Sequence, residues 1–428
     1  MAELSDAELE GLQADLSREL ELQAANRLSL DLTRGKPAPD QLELSAGLDD
    51  AIAGNYIASD GTDSRNYGAL TGLREARELG AEIMEADPED IICWGNSSLQ
   101  LMHTCVDLAL NHGLWGDGRR WSRDANPKVL TPVPGYDRHF TICEAAGIEM
   151  INVPMTDTGP DMDAARRAVE DPSVKGIWCV PKYSNPSGCI YSPERVEELA
   201  RLPADAAADD FVILWDNAYA VHDFEFPRAP LASLLDLARR HGTGEHVIMF
   251  ASTSKITYPS AGLAFLAADA AVRKAVESRL GTASIGPDKV NQLRHARFLG
   301  GRVEAHMAGH AALVKPKFEL VERKLREGLA GLGIADWTTP AGGYFVSLDT
   351  RPGLAKDVGD LAAKAGLTIT KPGATFPYGR DPEDANLRIA PTFASLADLA
   401  VAMDVLVVCV KLAAISREID HRSGTAGA

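Results

Sequence analysis

The 428-residue chain has no excess of basic residues, since 43 Lys and Arg stand against 61 Asp and Glu and leave a net charge of -18 at pH 7. No basic run offsets this locally, so nucleic acid is not an expected partner and a small anionic ligand would need dedicated arginines. The six cysteines, Cys93, Cys105, Cys143, Cys179, Cys189 and Cys409, form no CxxC pair and mostly sit in apolar runs. That pattern excludes a disulfide frame and a zinc site and predicts buried thiols in a reducing, cytoplasmic compartment. An uninterrupted membrane-length apolar run is also missing: LADLAVAMDVLVVCVKLAAI is broken by Asp398, Asp404 and Lys411 and reads as a globular helix. The acidic start MAELSDAELEGL lacks an apolar segment, so no secretory signal is read there. Internal repeats are absent, and only the residues after about Glu418 read as a flexible tail.

What is present is enough apolar side chain, 45% of residues, to build one large or two modest domains. Ser5 and Glu8 predict a capping box, stapled by Leu4 and Leu9, with Leu9, Leu12, Leu16 and Leu20 at helical spacing behind it. Between about residues 90 and 270 the short apolar runs IICW, KVLTPV, GIWCV, FVILW and HVIMF alternate with helical segments such as SPERVEELARL and LASLLDLARRHG. Continuous apolar strands with helices between them imply a mostly parallel sheet covered on both faces, an α/β fold. A long helical stretch from about Asp288 to Leu332 follows, then short strands in GGYFVSLDT and LRIAPTF. The expected organisation is a large domain over residues 46–300, a smaller α+β domain over 301–418 joined by the N-terminal segment 1–45, and a tail at 419–428.

In such a sheet, ligands bind beyond the carboxyl ends of the strands. GIWCV runs into PKYSNPSG with Asn185, FVILW ends in Asp216 followed by Asn217, Ala218 and Tyr219, and HVIMF runs into ASTSK with Lys255. Each has an ordinary reading: Asn185 as a turn former, Asp216 as a cap, Lys255 as a solvated lysine. Together, successive strands deliver an amide, a carboxylate and an amine to one edge. Pyridoxal phosphate chemistry uses this set: an amine for the aldehyde, a carboxylate for the pyridine nitrogen, and donors such as Asn185 and Tyr219 for the phenolate oxygen. Its phosphate needs amides and hydroxyls at a helix start, which Asn96, Ser97 and Ser98 in GNSSLQLMHTCVDLAL could supply, or they could be a plain N-cap.

These residues resemble the class I, fold-type I aminotransferases, over about Asp31 to Phe393. The likeness is carried by LTRGKP, NYGALTGLREA, GNSS, the PGY at Tyr136, NPSG, DNAY, STSK and LRIAPTF in that order. The wording of LTRGKP, VPGYDRHF and ASTSKITYPSAGLAF is similar to the actinobacterial-type aspartate aminotransferases. The resemblance implies pyridoxal 5'-phosphate as cofactor and a homodimer with shared sites. It implies Lys255 as Schiff-base lysine and proton carrier, Asp216 under the pyridine nitrogen, Asn185 and Tyr219 at the phenolate oxygen, and Tyr136 stacked on the ring. Ser97, Ser98, Ser252 and Ser254 would hold the phosphate, beside Asn96 and with Tyr67 from the neighbouring subunit. Arg388 would bind the substrate α-carboxylate, and Gly35 would let backbone approach the substrate.

One departure stands out. The family's phosphate-binding arginine, a little over two turns' worth of residues after the lysine, is replaced by the run Gly262, Leu263, Ala264. Hydroxyls and amides, or an arginine from elsewhere, must then serve. The expected reaction is ping-pong amino transfer between aspartate and 2-oxoglutarate, with Arg138 first and Arg34 second as reader of the distal carboxylate. Aromatic, alanine-like or diaminopimelate-type substrates and a carbon-sulfur lyase remain alternatives. A non-catalytic sensor domain of a transcription regulator would need a basic module, and the short acidic N-terminus gives it no room.

Overall fold

In a computed structural model, residues 4–25, 29–33 and 35–424 are described. All five apolar runs become strands of one eight-stranded sheet. Its order across the sheet is Ile91–Cys93, Ala264–Ala268, Val247–Ser252, Val212–Asp216, Val174–Cys179, Lys128–Val133, Glu149–Thr156 and Gly159–Pro160. The pairs from Val247–Ser252 through to Glu149–Thr156 are parallel. Ala264–Ala268 runs antiparallel to both of its neighbours. Every residue of the three central strands is buried, as expected of a sheet covered on both faces. Two apolar clusters fill the two sides. One contains Ile177, Ile213, Trp215, Phe265 and the helix residues Val196, Leu199 and Leu235; the other contains Trp178, Leu214, Phe250, Met102 and Val106.

A third core gathers the remaining third of the chain around the antiparallel strands Ala335–Trp337, Val346–Thr350 and Asn386–Ile389. The helix Leu396–Arg422 is apolar and long enough by composition to cross a membrane, yet 72% of its most apolar window is buried inside this core. The N-terminal segment joins it in two places. Leu30–Asp31 pairs with Leu367–Thr368, and the helix Asp6–Ala25 lies along Leu396–Arg422, with Gln13 Nε2 donating to Ser416 Oγ at 2.9 Å.

Three local expectations change. The stretch from Asp288 to Leu332 is two helices, Lys289–Leu299 and Val303–Leu329. They break at Gly300, where a Cβ would lie 2.6 Å from the Ala296 carbonyl, and at Gly301, whose φ is +67°. Residues after Glu418 are not a tail up to Gly424: the last helix runs to Arg422, whose guanidinium binds the Leu4 carbonyl at 2.7 Å and Asp6 at 3.0 Å. In the first helix, Ser5 and Glu8 form the expected reciprocal cap, and Leu9 and Leu20 are buried. Leu12, by contrast, faces outward.

The helix Val303–Leu329 spans both halves. Val303 and Met307 belong to the core of the large sheet, whereas Val314, Phe318, Val321 and Leu325 belong to the third core. A bridge between Asp223 and Gly342 ties the halves a second time, and the candidate site lies beside this seam.

Candidate active site

The carboxyl ends of the strands converge on one cavity of about 180 Å³, lined by Ser97, Ser98, Tyr136, Asn185, Asp216, Tyr219, Ser252, Ser254 and Lys255. Asp216 is the last residue of its strand and only 1% exposed. Its Oδ2 accepts a hydrogen bond from His139 Nε2 at 3.0 Å, while its Oδ1 is buried with no partner in the chain. A buried carboxylate oxygen left unpaired is costly, so this atom is suited to a cationic or N–H group entering the cavity.

His139 was not foreseen. It lies one helical turn beyond Tyr136 in the helix Asp137–Ala146, stacks on Trp178 at 4.1 Å with planes 9° apart, and meets the Tyr136 ring edge-on at 5.0 Å. The spacing of Tyr136 and His139 on one helix face was the available signal. Its weight appears only once Trp178 and Asp216 fix the ring.

Lys255 follows the Val247–Ser252 strand, its Nζ 5.0 Å from the Tyr219 ring centroid and 6.0 Å from that of Tyr344. Burial pulls the amine below the ordinary lysine value, with the Asp216 charge only partly opposing it. A larger share of neutral, nucleophilic amine results. Tyr219 is held well above the ordinary phenol value, by burial first and then by Tyr136 and Asp216, so its hydroxyl stays a donor.

At the other end, Ser97 is the N-cap of the helix Ser98–Asn111 but makes no capping bond with its hydroxyl. That leaves a hydroxyl and free helix N–H groups beside Ser252 and Ser254, an arrangement suited to an anion. Among the described residues Lys255 is the one cation lining the cavity. Leu263 is buried in the core, and Arg294, lining a neighbouring crevice with Asn96 and Ser260, is held by Asn291 and Asp49. Asn96 is not part of the cavity lining. Its amide donates to the Ser260 carbonyl at 2.8 Å and its own carbonyl receives the Ser254 hydroxyl at 3.2 Å, so it braces the two loops.

Arg388, on the strand Asn386–Ile389, is 7% exposed. Its Nη1 donates to Asn185 Oδ1 at 3.3 Å and to Asp137 Oδ1 at 3.1 Å, and its guanidinium carbon stands 4.9 Å from the Phe345 ring centroid. Gly35 packs against that same ring, since a Cβ there would come within 2.6 Å of Phe345 Cζ. Tyr67 is 80% exposed and outside its own chain's cavity. Arg138 is exposed on the first turn of the helix Asp137–Ala146 and is not among the lining residues. Arg34 lies outside the described residues.

Behind Lys255 is a buried polar network that the sequence did not disclose. His306 and His310 both donate from Nε2 to the Ile256 carbonyl, at 2.8 and 2.9 Å. Gln41, fully buried, donates to Tyr344 Oη at 3.1 Å and to His310 Nδ1 at 3.3 Å, and Tyr344 donates to the Lys255 carbonyl at 3.4 Å. Burial lowers His310 to about 4, with His306 adding to the effect, and lowers His295, bonded to Thr257 Oγ1, to about 4 as well. Both are therefore neutral when folded but take up a proton below pH ~6.5 when unfolded. Stability is then fully present above pH ~6.5 and falls as the pH drops towards about 4, by on the order of a kcal/mol per pH unit per group. Thermal melts should show a lower Tm at pH ~5 than at pH ~7.5, and His295→Gln should flatten that slope; an unchanged Tm would contradict the buried neutral state.

The whole chain is similar to proteins of one family. The profile of the family described as aspartate amino-transferase matches residues 4–422. The aspartate aminotransferase of Corynebacterium glutamicum is 43% identical over 418 residues, 96% of this chain and 95% of that protein. The crystal structure of an aspartate transaminase from Corynebacterium glutamicum superposes with a TM-score of 0.93 at 40% identity, covering 96% of this chain and 98% of the other. More distantly, the α-aminoadipate aminotransferase LysN of Thermus thermophilus, solved with N-(5'-phosphopyridoxyl)-L-leucine, shares the fold at 21% identity with a TM-score of 0.73, covering 95% of this chain and 98% of that one.

Proposed function

The chain belongs to the aspartate aminotransferase family and is a transaminase of fold type I, and on that premise we propose that it uses pyridoxal 5'-phosphate to move the amino group of aspartate to 2-oxoglutarate. The observation that carries the cofactor reading is the unpartnered Asp216 Oδ1 in a cavity that also holds Lys255 and four serine residues. The donor set fits the group. Lys255 would hold it covalently, Asp216 its ring nitrogen, Tyr219 and Asn185 its phenolate oxygen, Tyr136 one ring face, and Ser97, Ser98, Ser252 and Ser254 its phosphate. A second copy of the chain would bring Tyr67 to that phosphate, making the working unit a homodimer. The phosphorylated pyridoxyl group bound by LysN supports the choice.

When bound, the cofactor supplies an electron sink for the pair released as the substrate Cα–H bond breaks. The chain's residues do the rest. Asp216 keeps a positive charge in place at the sink, and His139 keeps Asp216 in place by its 3.0 Å hydrogen bond. Lys255, with a basic amine in a buried setting, would take the proton from Cα and return it to the carbon on the far side of the transferring nitrogen. Arg388 pairs with the α-carboxylate common to all amino acids, and Gly35 lets backbone close over the substrate. Water would release the keto acid with the amino group left on the cofactor, and 2-oxoglutarate would take that group in the reverse sequence to become glutamate.

Aspartate is favoured by the name of the 43% identical Corynebacterium glutamicum protein. A dicarboxylate needs a second cation, for which Arg138 is the first choice and Arg34 in TRGKP the second. Steady-state kinetics with a panel of amino and keto acids tests this. Arg388→Leu should damage every substrate alike, by about a hundredfold in kcat/KM, because it strips a buried ion pair of one partner. Arg138 is exposed, so solvent screening limits its loss to about 1 kcal/mol, roughly a fivefold rise in KM confined to dicarboxylates. Equal losses for alanine and aspartate in Arg138→Leu would make that residue structural and move the test to Arg34. A wild-type preference for aromatic or aliphatic amino acids would overturn the aspartate assignment.

A further inference from the structure

The guanidinium of Arg388 is already engaged by a carboxylate of its own chain. Besides Asp137 and Asn185 on Nη1, its Nε donates to Thr370 Oγ1 at 3.4 Å and its Nη2 to the Thr33 carbonyl at 3.5 Å. Of these partners only Asp137 carries charge, and among the described residues Arg388 is its one ion-pair partner. Asp137 is also the first residue of a ten-residue helix, and its side chain is 30% exposed. Its carboxylate thus has a second favourable setting, near the positive end of that helix and in water, if the arginine turns to another anion. Arg388 has no such alternative, being buried on its strand at 7% side-chain exposure.

We propose that Asp137 is the resident counter-ion of Arg388 and a determinant of substrate affinity: each carboxylate substrate must displace it from the guanidinium or share the guanidinium with it. The inference rests on Arg388 as the α-carboxylate anchor. An arginine buried without an anion is costly, so the Asp137 contact stabilises the substrate-free enzyme. The same contact lowers the affinity for every incoming carboxylate, since two anions on one buried guanidinium leave an excess negative charge. Asp137 therefore weakens substrate and product binding together and favours turnover over retention.

Calorimetric titration of the holoenzyme with succinate, a dicarboxylate without an amine, tests the proposal. Asp137→Asn preserves size and an acceptor for Arg388 but removes the competing charge, and should lower the succinate Kd at least fivefold, with a matching fall in the KM for aspartate. Asp137→Ser removes the charge in a shorter side chain and should move the Kd in the same direction, which separates the effect from a folding defect of the first variant. Unchanged or weaker succinate binding in both variants, with binding lost in Arg388→Gln, would overturn the counter-ion role and leave Arg388 as anchor. Wild-type succinate binding in Arg388→Gln would remove the anchor itself and the proposal with it.

Discussion

Lys255→Ala is expected to abolish amino transfer while leaving the fold and the cavity in place. The residue is not part of the apolar core, and its side chain ends at the two aromatic rings of Tyr219 and Tyr344, so truncation removes an amine and little packing. The loss should reach on the order of 10⁴-fold or more, the upper end of what a positioned acid-base group contributes, because the same amine is also the proposed anchor of the cofactor. Two readouts separate this from a general defect. Borohydride treatment of the native holoenzyme should fix the cofactor to the peptide containing Lys255, and the variant should show no such adduct. Labelling at another lysine, or turnover in the variant near the native rate, would reassign the role.

Asp216→Ala should keep the fold but reduce kcat on the order of 10³-fold, the scale of losing one preorganised electrostatic contact in a closed site. It removes the unpartnered Oδ1 and also orphans His139 Nε2, which adds a stability cost of about 1–3 kcal/mol. The two effects are separable. A thermal shift reports the His139 side, whereas weaker cofactor retention and an altered cofactor absorbance report the other. A variant that loses only Tm and keeps its turnover would confine Asp216 to bracing His139.

The parts of this molecule that follow from local chemistry could be read from the sequence. Apolar runs of strand length bounded by helical segments gave the large sheet, and the polar residues just beyond those runs, Asn185, Asp216, Tyr219 and Lys255, do line one cavity. The strand Glu149–Thr156, next to the edge, was hidden because only Met150 and Val153 along it are buried and Glu149, Asn152 and Thr156 interrupt its apolar residues. The helix break at Gly300 and Gly301 was hidden because two glycines inside a charged periodic stretch weigh little against its pattern. Partners distant in sequence were the least legible. His139 on Trp178, Gln41 on Tyr344 and Asp137 on Arg388 are pairings across 39, 303 and 251 positions. No local spacing encodes such contacts; they exist only after the sheet brings the segments together.

The embrace of the first and last helices has a consequence for how the chain is made. The helix Asp6–Ala25 rests along Leu396–Arg422, held by Gln13 to Ser416 and by Asp6 to Arg422, and Leu30–Asp31 is completed only by Leu367–Thr368. During synthesis at about 5–20 residues per second, the opening segment emerges on the order of 20–80 s before the last helix that covers it. Through that interval Leu9 and Leu20, both buried in the finished molecule, have no native surface to cover them. The earlier-made segment is thus among the last to dock, and the acidic residues interspersed with those leucines keep the waiting helix in water until its partner leaves the ribosome.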